Sequence, residues 1–140
     1  GGGEAAAIGD IRTVISAEAA YQADNKGYFG RIECLGAPTG CIPGYQGPTF
    51  LDPALASGAA KSGFKRTFHP GEAVTVASDG TAAWHGSLMS FAYVAVPVES
   101  GKTGVRGFCG DASGRICYTT DGSAPQVSDG ACAPGCQDLR

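Results

Sequence analysis

Six cysteines are the residues of this 140-residue chain whose type and spacing carry the clearest chemistry. So many cysteines in a small protein are typical of an oxidising compartment, where thiols are joined as disulfides. Their spacing predicts three local disulfides, namely Cys34 with Cys41, Cys109 with Cys117, and Cys132 with Cys136. Six cysteines allow fifteen pairings, and spacing alone does not choose among them.

Metal binding is the alternative use of such residues. The sequence has no Cys-x-x-Cys knuckle, and only His69 and His85 are available as nitrogen ligands, so we expect no zinc centre and no cofactor. Asp111, Asp121 and Asp129 offer oxygens to calcium, but scattered aspartates in loops usually serve turns.

Catalytic residues would be a third kind of chemistry. The residues from which a triad could be drawn are His69, His85, Ser87, Ser90 and Asp79. No nucleophile elbow, phosphate loop or paired acidic motif accompanies them. The sequence therefore does not predict an enzyme.

Composition narrows the class of protein. The net charge is −3 and the isoelectric point is near 5.2, and the ten lysines and arginines are scattered, so a nucleic-acid-binding face is not expected. No apolar run approaches the roughly 18 residues that a membrane-spanning helix needs. With 23 glycines and 8 prolines, the chain is predicted to be one loop-rich domain with a modest core.

One long helix must organise this domain. Residues 4–27 lack proline, are rich in alanine and repeat apolar residues at helical spacing, and Gly27 is predicted to be the left-handed cap. No capping residue precedes Glu4. We therefore interpret residues 1–3 as a cloning remnant and expect the natural helix to continue upstream.

A row of small residues follows one side of this helix. Its members are Ala6, Gly9, Thr13, Ala17 and Ala20. Small side chains allow a second helix to approach closely, so this row is a candidate assembly face. The alternative is that alanine is present simply because it is the best helix former.

Two segments are predicted to be irregular. Residues 28–60 form a long connection rich in glycine and proline, in which residues 51–57 are predicted to be one short helix with Asp52 as its cap. Residues 121–140 form a tail with little that could be buried. A candidate contact surface combines Tyr45 of the connection with Trp84 and His85 of a later loop.

The sheet is predicted within residues 61–120. Its strands include residues 63–69 and residues 90–98, and the second is apolar on both faces, as a central strand is. We expect the helix to cover one face of that strand and the long connection to cover the other. A turn with Gly114 as its third residue sets Cys109 opposite Cys117. The predicted fold class is α+β, with the helix packed across an antiparallel sheet of about four strands.

Three segments together resemble the head domain of bacterial type IV pilins and pseudopilins. They are EAAAIGDIRTVISAEAAYQ (residues 4–22), KSGFKRTFHPG (residues 61–71) and TGVRGFCGDASGRICYTTDGSAP (residues 103–125). The resemblance implies a subunit whose N-terminal apolar helix half anchors it in the inner membrane, facing the periplasm, and later packs in the centre of an extracellular filament or periplasmic pseudopilus. Its implied partners are other copies of itself, related pilins and the inner-membrane assembly machinery.

Two classes of function follow. The first is a structural subunit that acts by polymerising through its helix, as in fimbriae used for cell adhesion. The second is a secreted, disulfide-rich recognition module that does not polymerise. The residues encoded before Glu4 separate the two, because an apolar helix after a short basic leader fits only the first.

Overall fold

The structure is a computed structural model and describes residues 2–139. It begins with helix α1 (Gly2–Asp24), whose 23 residues extend for about 35 Å at 1.5 Å per residue. The predicted stop is confirmed, because Gly27 has φ = 90° and its N–H donates to the Gln22 carbonyl at 3.0 Å. This left-handed cap suits glycine, which has no Cβ to strain it.

The strands of the described part of the chain are short except for two. In chain order they are β1 (Phe29–Gly30), β2 (Phe64–Pro70), β3 (Ser87–Leu88), β4 (Phe91–Pro97), β5 (Gly107–Asp111), β6 (Ile116–Thr119), β7 (Val127–Ser128), β8 (Ala131–Cys132) and β9 (Gln137–Asp138). The main sheet is antiparallel, has five strands and is ordered β2-β4-β5-β6-β9. Strands β1 and β3 form one separate pair, and β7 and β8 form another.

The two long strands confirm the sequence prediction to within one residue. Strand β4 lies in the sheet interior, and Pro97, which has no N–H to donate, is its last residue. The fold class of a helix packed on an antiparallel sheet is also confirmed. The sheet was predicted to have about four strands and has five, because the tail adds β9 at its edge.

Helix α1 packs on the first face of the sheet through one buried stripe. Its buried members are Ala7, Ile11, Val14, Ala17, Glu18 and Tyr21. Gly110 of β5 makes the close approach feasible, because a Cβ there would lie 2.3 Å from Ile11 Cγ2. The helix therefore rests nearly on the backbone of β5.

The long connection lies on this same face, which corrects the expectation that it covers the other one. It contains α2 (Ile32–Gly36), a 3₁₀ turn (Pro38–Gly40) and α3 (Pro53–Ala56), and its Leu35 and Leu55 join the core under α1. The predicted short helix is confirmed as α3, with Asp52 Oδ1 accepting the Ala54 N–H at 2.8 Å. The connection is thus ordered by hydrophobic anchors and a capped turn.

The tail covers the second face of the sheet, although, as predicted, it buries few of its own residues, namely Pro125, Gly130 and Cys132 of the described part. Ala92 and Val94 of β4 point into a small second core with Cys109, Cys117 and Cys132. From the tail, Val127 and Cys136 pack against this second core. Strand β9 then pairs with β6 and completes the sheet.

Candidate functional site

The exposed side of α1 is the first surface that can take part in an interaction. Gly9, Thr13 and Ala20 of the predicted face are exposed, but Ala6 is half-buried and Ala17 is only 7% exposed, since it belongs to the core. The predicted face is therefore wrong at its inner edge. The exposed stripe that replaces it consists of Ala5, Gly9, Arg12, Thr13, Ser16, Ala19, Ala20 and Ala23. The sequence signal that could have located this stripe is the apolar arc of Ile11, Val14 and Tyr21, which includes Ala17 at helical spacing.

The stripe is almost uncharged. Arg12 is its single charged residue before the exposed Asp24 at the end of the helix. The Thr13 hydroxyl is already hydrogen-bonded within the helix, because it donates to the Gly9 carbonyl at 3.0 Å. The exposed side of the helix, about 35 Å long, is therefore formed mainly by small side chains and carries few polar groups.

The predicted contact surface of Tyr45, Trp84 and His85 is not assembled as one patch by any contact seen here. Tyr45 packs on Phe50 with ring centroids 5.4 Å apart, and its hydroxyl donates to the Pro48 carbonyl at 2.6 Å. Trp84 is half-buried under the Lys26 ammonium, which lies 4.8 Å from the ring centre. His85 is exposed, and its carbonyl lies beside Cys34. Both aromatic rings mainly anchor their loops to the core.

The cysteine pairing differs from the predicted one at two of three bonds. The Cys34–Cys41 disulfide is confirmed. The other two disulfides join Cys109 to Cys132 and Cys117 to Cys136, so each links the closing hairpin to the tail. The predicted local pairs, Cys109 with Cys117 and Cys132 with Cys136, are wrong.

The hairpin register was predicted correctly. The wrong Cys109–Cys117 disulfide arose because the kind of pair that these two residues form in the ladder was not known. Cys109 lies opposite Cys117, and Gly114 has φ = 85° in the turn, as predicted. The Asp111 N–H donates to the Arg115 carbonyl, and pairs alternate along an antiparallel ladder, so Cys109 and Cys117 form a hydrogen-bonded pair. Side chains stand farther apart in such a pair, and both sulfurs are free to reach the tail above them.

Arg115 fastens the tail to the hairpin by a second means. Its guanidinium donates to the carbonyls of Cys132, Ala133, Pro134 and Cys136 and forms an ion pair with Asp138. Asp111 Oδ2 accepts the Cys132 N–H at 2.9 Å. The cysteine pattern did not predict these hydrogen bonds between the hairpin and the tail. The only sequence signal for them is an arginine directly after the turn.

Comparison with protein-family models, with curated proteins and with solved structures finds no match to this chain. Within residues 2–139, no helix is long and apolar enough to cross a membrane.

Several of the residues considered for catalysis and for calcium have structural partners. The hydroxyls of Ser87 and Ser90 donate to the carbonyls of Trp84 and Asp129, at 2.7 and 2.8 Å. Asp79 and Asp121 each accept the N–H and the hydroxyl of the residue two positions later. Among the described residues, Asp111, Asp121 and Asp129 do not come together as a ligand cluster.

Glu18 is an ionisable group on the buried side of α1. It is fully buried, and its Oε1 accepts the Gly30 N–H at 2.9 Å, whereas Oε2 has no hydrogen-bond partner within the described chain. Burial raises the pKa of Glu18 to about 8, against the opposing effect of the Gly30 hydrogen bond. One turn later, burial and the Glu18 charge raise the pKa of Tyr21 to about 12.

We expect the free energy of unfolding to fall as pH rises from 4.5 to about 8. In that window Glu18 is protonated in the native state and ionised in the unfolded chain. The native state then binds the extra proton at Glu18, so the contribution of this residue to stability falls by about 1.4 kcal/mol per pH unit. Glu18→Gln should remove this dependence and raise the melting temperature at pH 8 while changing it little at pH 4.

Thermal denaturation of both proteins at several pH values measures the effect. Exposed Glu72→Gln is the matched control and should follow the wild-type profile. Parallel profiles for wild type and Glu18→Gln would contradict the assignment.

Proposed function

We propose that this chain is the head of a structural subunit of a type IV pilus or related pseudopilus, which acts by polymerising through its helix. The observation that carries the proposal is the exposed stripe of α1, which is small and nearly uncharged over the whole helix. Small residues let two helices approach closely, so that packing and backbone contacts compensate for the small area of each side chain.

The opposite side of α1 supports the proposal because it holds the helix rigidly. Three acidic side chains tie successive parts of the helix to the body. Glu4 accepts the N–H groups of Val105 and Arg106, both at 2.9 Å. Asp10 pairs with Arg66 at 2.7 Å, and Glu18 accepts the Gly30 N–H. Because the helix is fixed at three points, its free side is already ordered before it binds a partner, and association loses less conformational entropy.

The proposal includes the location and partners of the subunit. In it, the protein begins as an inner-membrane precursor whose head faces the periplasm, is assembled by inner-membrane machinery, and contacts other copies of itself in the filament. The anchor would precede Glu4. Cell adhesion is one role that such a filament serves.

The experiment uses the protein expressed from its natural gene in its own host, with filaments counted by negative-stain microscopy. Ser16→Arg and Ala20→Arg place a long charged side chain on the stripe, and we expect at least about tenfold fewer filaments, the effect of 1.4 kcal/mol per contact. Ser128→Arg, on the exposed tail, is the matched control. Circular dichroism of the purified heads should show an unchanged fold for all three variants. Normal filament numbers with both stripe variants would contradict the proposal.

A secreted recognition module is the second candidate function. A cleft of about 600 Å³ favours it, formed between β6 and the tail and lined by the Tyr118 ring and short polar groups, among them Asp121 and Gln126. This candidate predicts that the natural protein is released as a monomer and never enters filaments. Fractionation of the same cultures into membrane, filament and medium distinguishes it from the first.

A further inference from the structure

Two charged side chains of α1 have no partner within the described part of the chain. The other charged residues of the helix, Glu4, Asp10 and Glu18, are acidic and contact the body of the domain. Arg12 and Asp24 are both exposed, and neither side chain forms an ion pair or a hydrogen bond with the rest of the described chain. The helix therefore presents one unpaired cation and one unpaired anion to a partner.

Asp24 is also poorly placed for the stability of its own helix. It is the last residue of α1, and the last turn contains no basic residue. The helix dipole leaves a partial negative charge at this end, so a carboxylate there is repelled. Helix stability therefore does not explain this residue, and a cation from outside the chain would relieve the repulsion.

The two charges lie at opposite edges of the exposed stripe. They are separated by 12 residues, which is about 18 Å along the helix axis and about 120° around it. Gly9, Ser16 and Ala20 fall between them around the helix, and all three are exposed. The stripe is thus an uncharged face with a cation at one edge and an anion at the other, which is complementary to a second copy of itself.

Opposite edges meet in only one of the two simple arrangements of a helix pair. In an antiparallel pair related by a twofold axis, each edge meets itself, so Arg12 lies on the side where the other copy has its own Arg12. In a parallel pair, opposite edges meet, and a shift of about 18 Å along the axis brings Arg12 level with Asp24 of the next copy. Charge complementarity therefore selects the parallel, shifted arrangement.

We propose that α1 of the filament subunit packs parallel to α1 of a second copy, with a shift of about 18 Å and with Arg12 paired to Asp24 of that copy. The inference rests on the proposed function, because the pair exists only between subunits. Close approach along the small side chains removes water from around the pair, which strengthens it relative to an exposed ion pair. Such a contact joins different edges and does not close, so its repetition produces a filament.

Charge reversal in the natural gene tests the pairing, with filaments counted in the natural host by negative-stain microscopy. Arg12→Glu and Asp24→Lys each place like charges opposite each other, and we expect at least about tenfold fewer filaments with either. The double variant Arg12→Glu/Asp24→Lys restores opposite charges and should return the number to the wild-type level. Lys65→Glu, an equal charge change at an exposed position of β2, is the matched control and should have no effect. Circular dichroism of the purified heads should show the same fold for every variant.

Crosslinking tests whether the two positions are in contact. The described chain has no free cysteine, so Arg12→Cys/Asp24→Cys supplies the only thiols. Filaments of this variant should give a ladder of disulfide-linked subunits, since the two positions of one helix are about 18 Å apart and cannot bond to each other. Arg12→Cys alone is the control and should give no ladder.

The outcomes separate this inference from the proposed function. Normal filament numbers in both single-reversal variants would overturn the pairing and leave the filament proposal intact. The pairing would also be overturned if the double-reversal variant were not restored, or if the double-cysteine variant gave filaments without a ladder. A wild-type protein that forms no filaments would overturn both proposals.

Discussion

Replacing Asp10 with asparagine is expected to lower the free energy of unfolding by about 3–5 kcal/mol, the usual loss when one partner of a buried ion pair is removed. The Asp10 carboxylate lies 2.7 Å from the Arg66 guanidinium, whose side chain is 1% exposed. Arg66 also donates to the carbonyls of Lys61 and Phe64, so it is held in place and cannot move to solvent. Without Asp10, the fold must keep a buried cation whose counter-charge is gone.

Urea unfolding measures this loss, with Asp24→Asn as the matched control on the same helix. Asp24 is exposed at the helix end, and its replacement should change stability by less than about 0.5 kcal/mol. Exchanging both partners for apolar residues, as in Asp10→Leu/Arg66→Met, should recover much of the loss. Equal stabilities of Asp10→Asn and Asp24→Asn would show that the ion pair does not hold α1 on the sheet.

Removing the Cys109–Cys132 disulfide with two alanines is expected to cost about 3 kcal/mol from the loop-closure model, because the remaining Cys117–Cys136 bond shortens the loop to roughly 14 residues. The bond joins residues 23 positions apart and fixes the tail over Ala92 and Val94 of β4. The Cys34–Cys41 bond joins residues 7 positions apart, so its removal should cost about 2.5 kcal/mol by the same model. The tail should also become the first site of proteolysis in the Cys109→Ala/Cys132→Ala variant.

Chemical denaturation of both double variants tests this order. Cys34→Ala/Cys41→Ala serves as the reference because its loop lies on the other face of the sheet. A larger loss in the reference variant would contradict a structural role for the tail crosslink.

Local signals in the sequence were sufficient for the hairpin, the helix stop and the central strand. Gly114 and Gly27 each require a left-handed conformation, and β4 has the two-sided apolar pattern of a buried strand. These features depend on a few neighbouring residues. They could be predicted because no distant contact opposes them.

The tail and its disulfides could not be predicted in this way. Strands β7, β8 and β9 contain two residues each, which is too short for any periodicity to appear. Their position depends on sulfur bonds and on Arg115, whose partners lie 17 to 23 residues away. Local and long-range cysteine partners are distinguished by whether Cys109 and Cys117 form a hydrogen-bonded or a non-hydrogen-bonded pair in the hairpin. The sequence does not determine which of the two they form.

The candidate assembly face was predicted only in part. Helical periodicity located a row of small residues but placed it too close to the core, so that Ala17 was counted as exposed. Alanine gives little indication of which side it faces, because it is common on both. The apolar arc of Ile11, Val14 and Tyr21 was predicted, and Ala17 lies on the same buried side.

The acidic ties of α1 and the crosslinked tail lie on opposite faces of one sheet, which determines how the domain would bear mechanical load. A force pulling along the α1 axis passes into the rest of the domain through Glu4, Asp10 and Glu18. The sulfur bridges to the tail lie outside that path. Resistance to tension along α1 would therefore change with acidity, whereas opening the two tail bridges alone would leave it nearly constant.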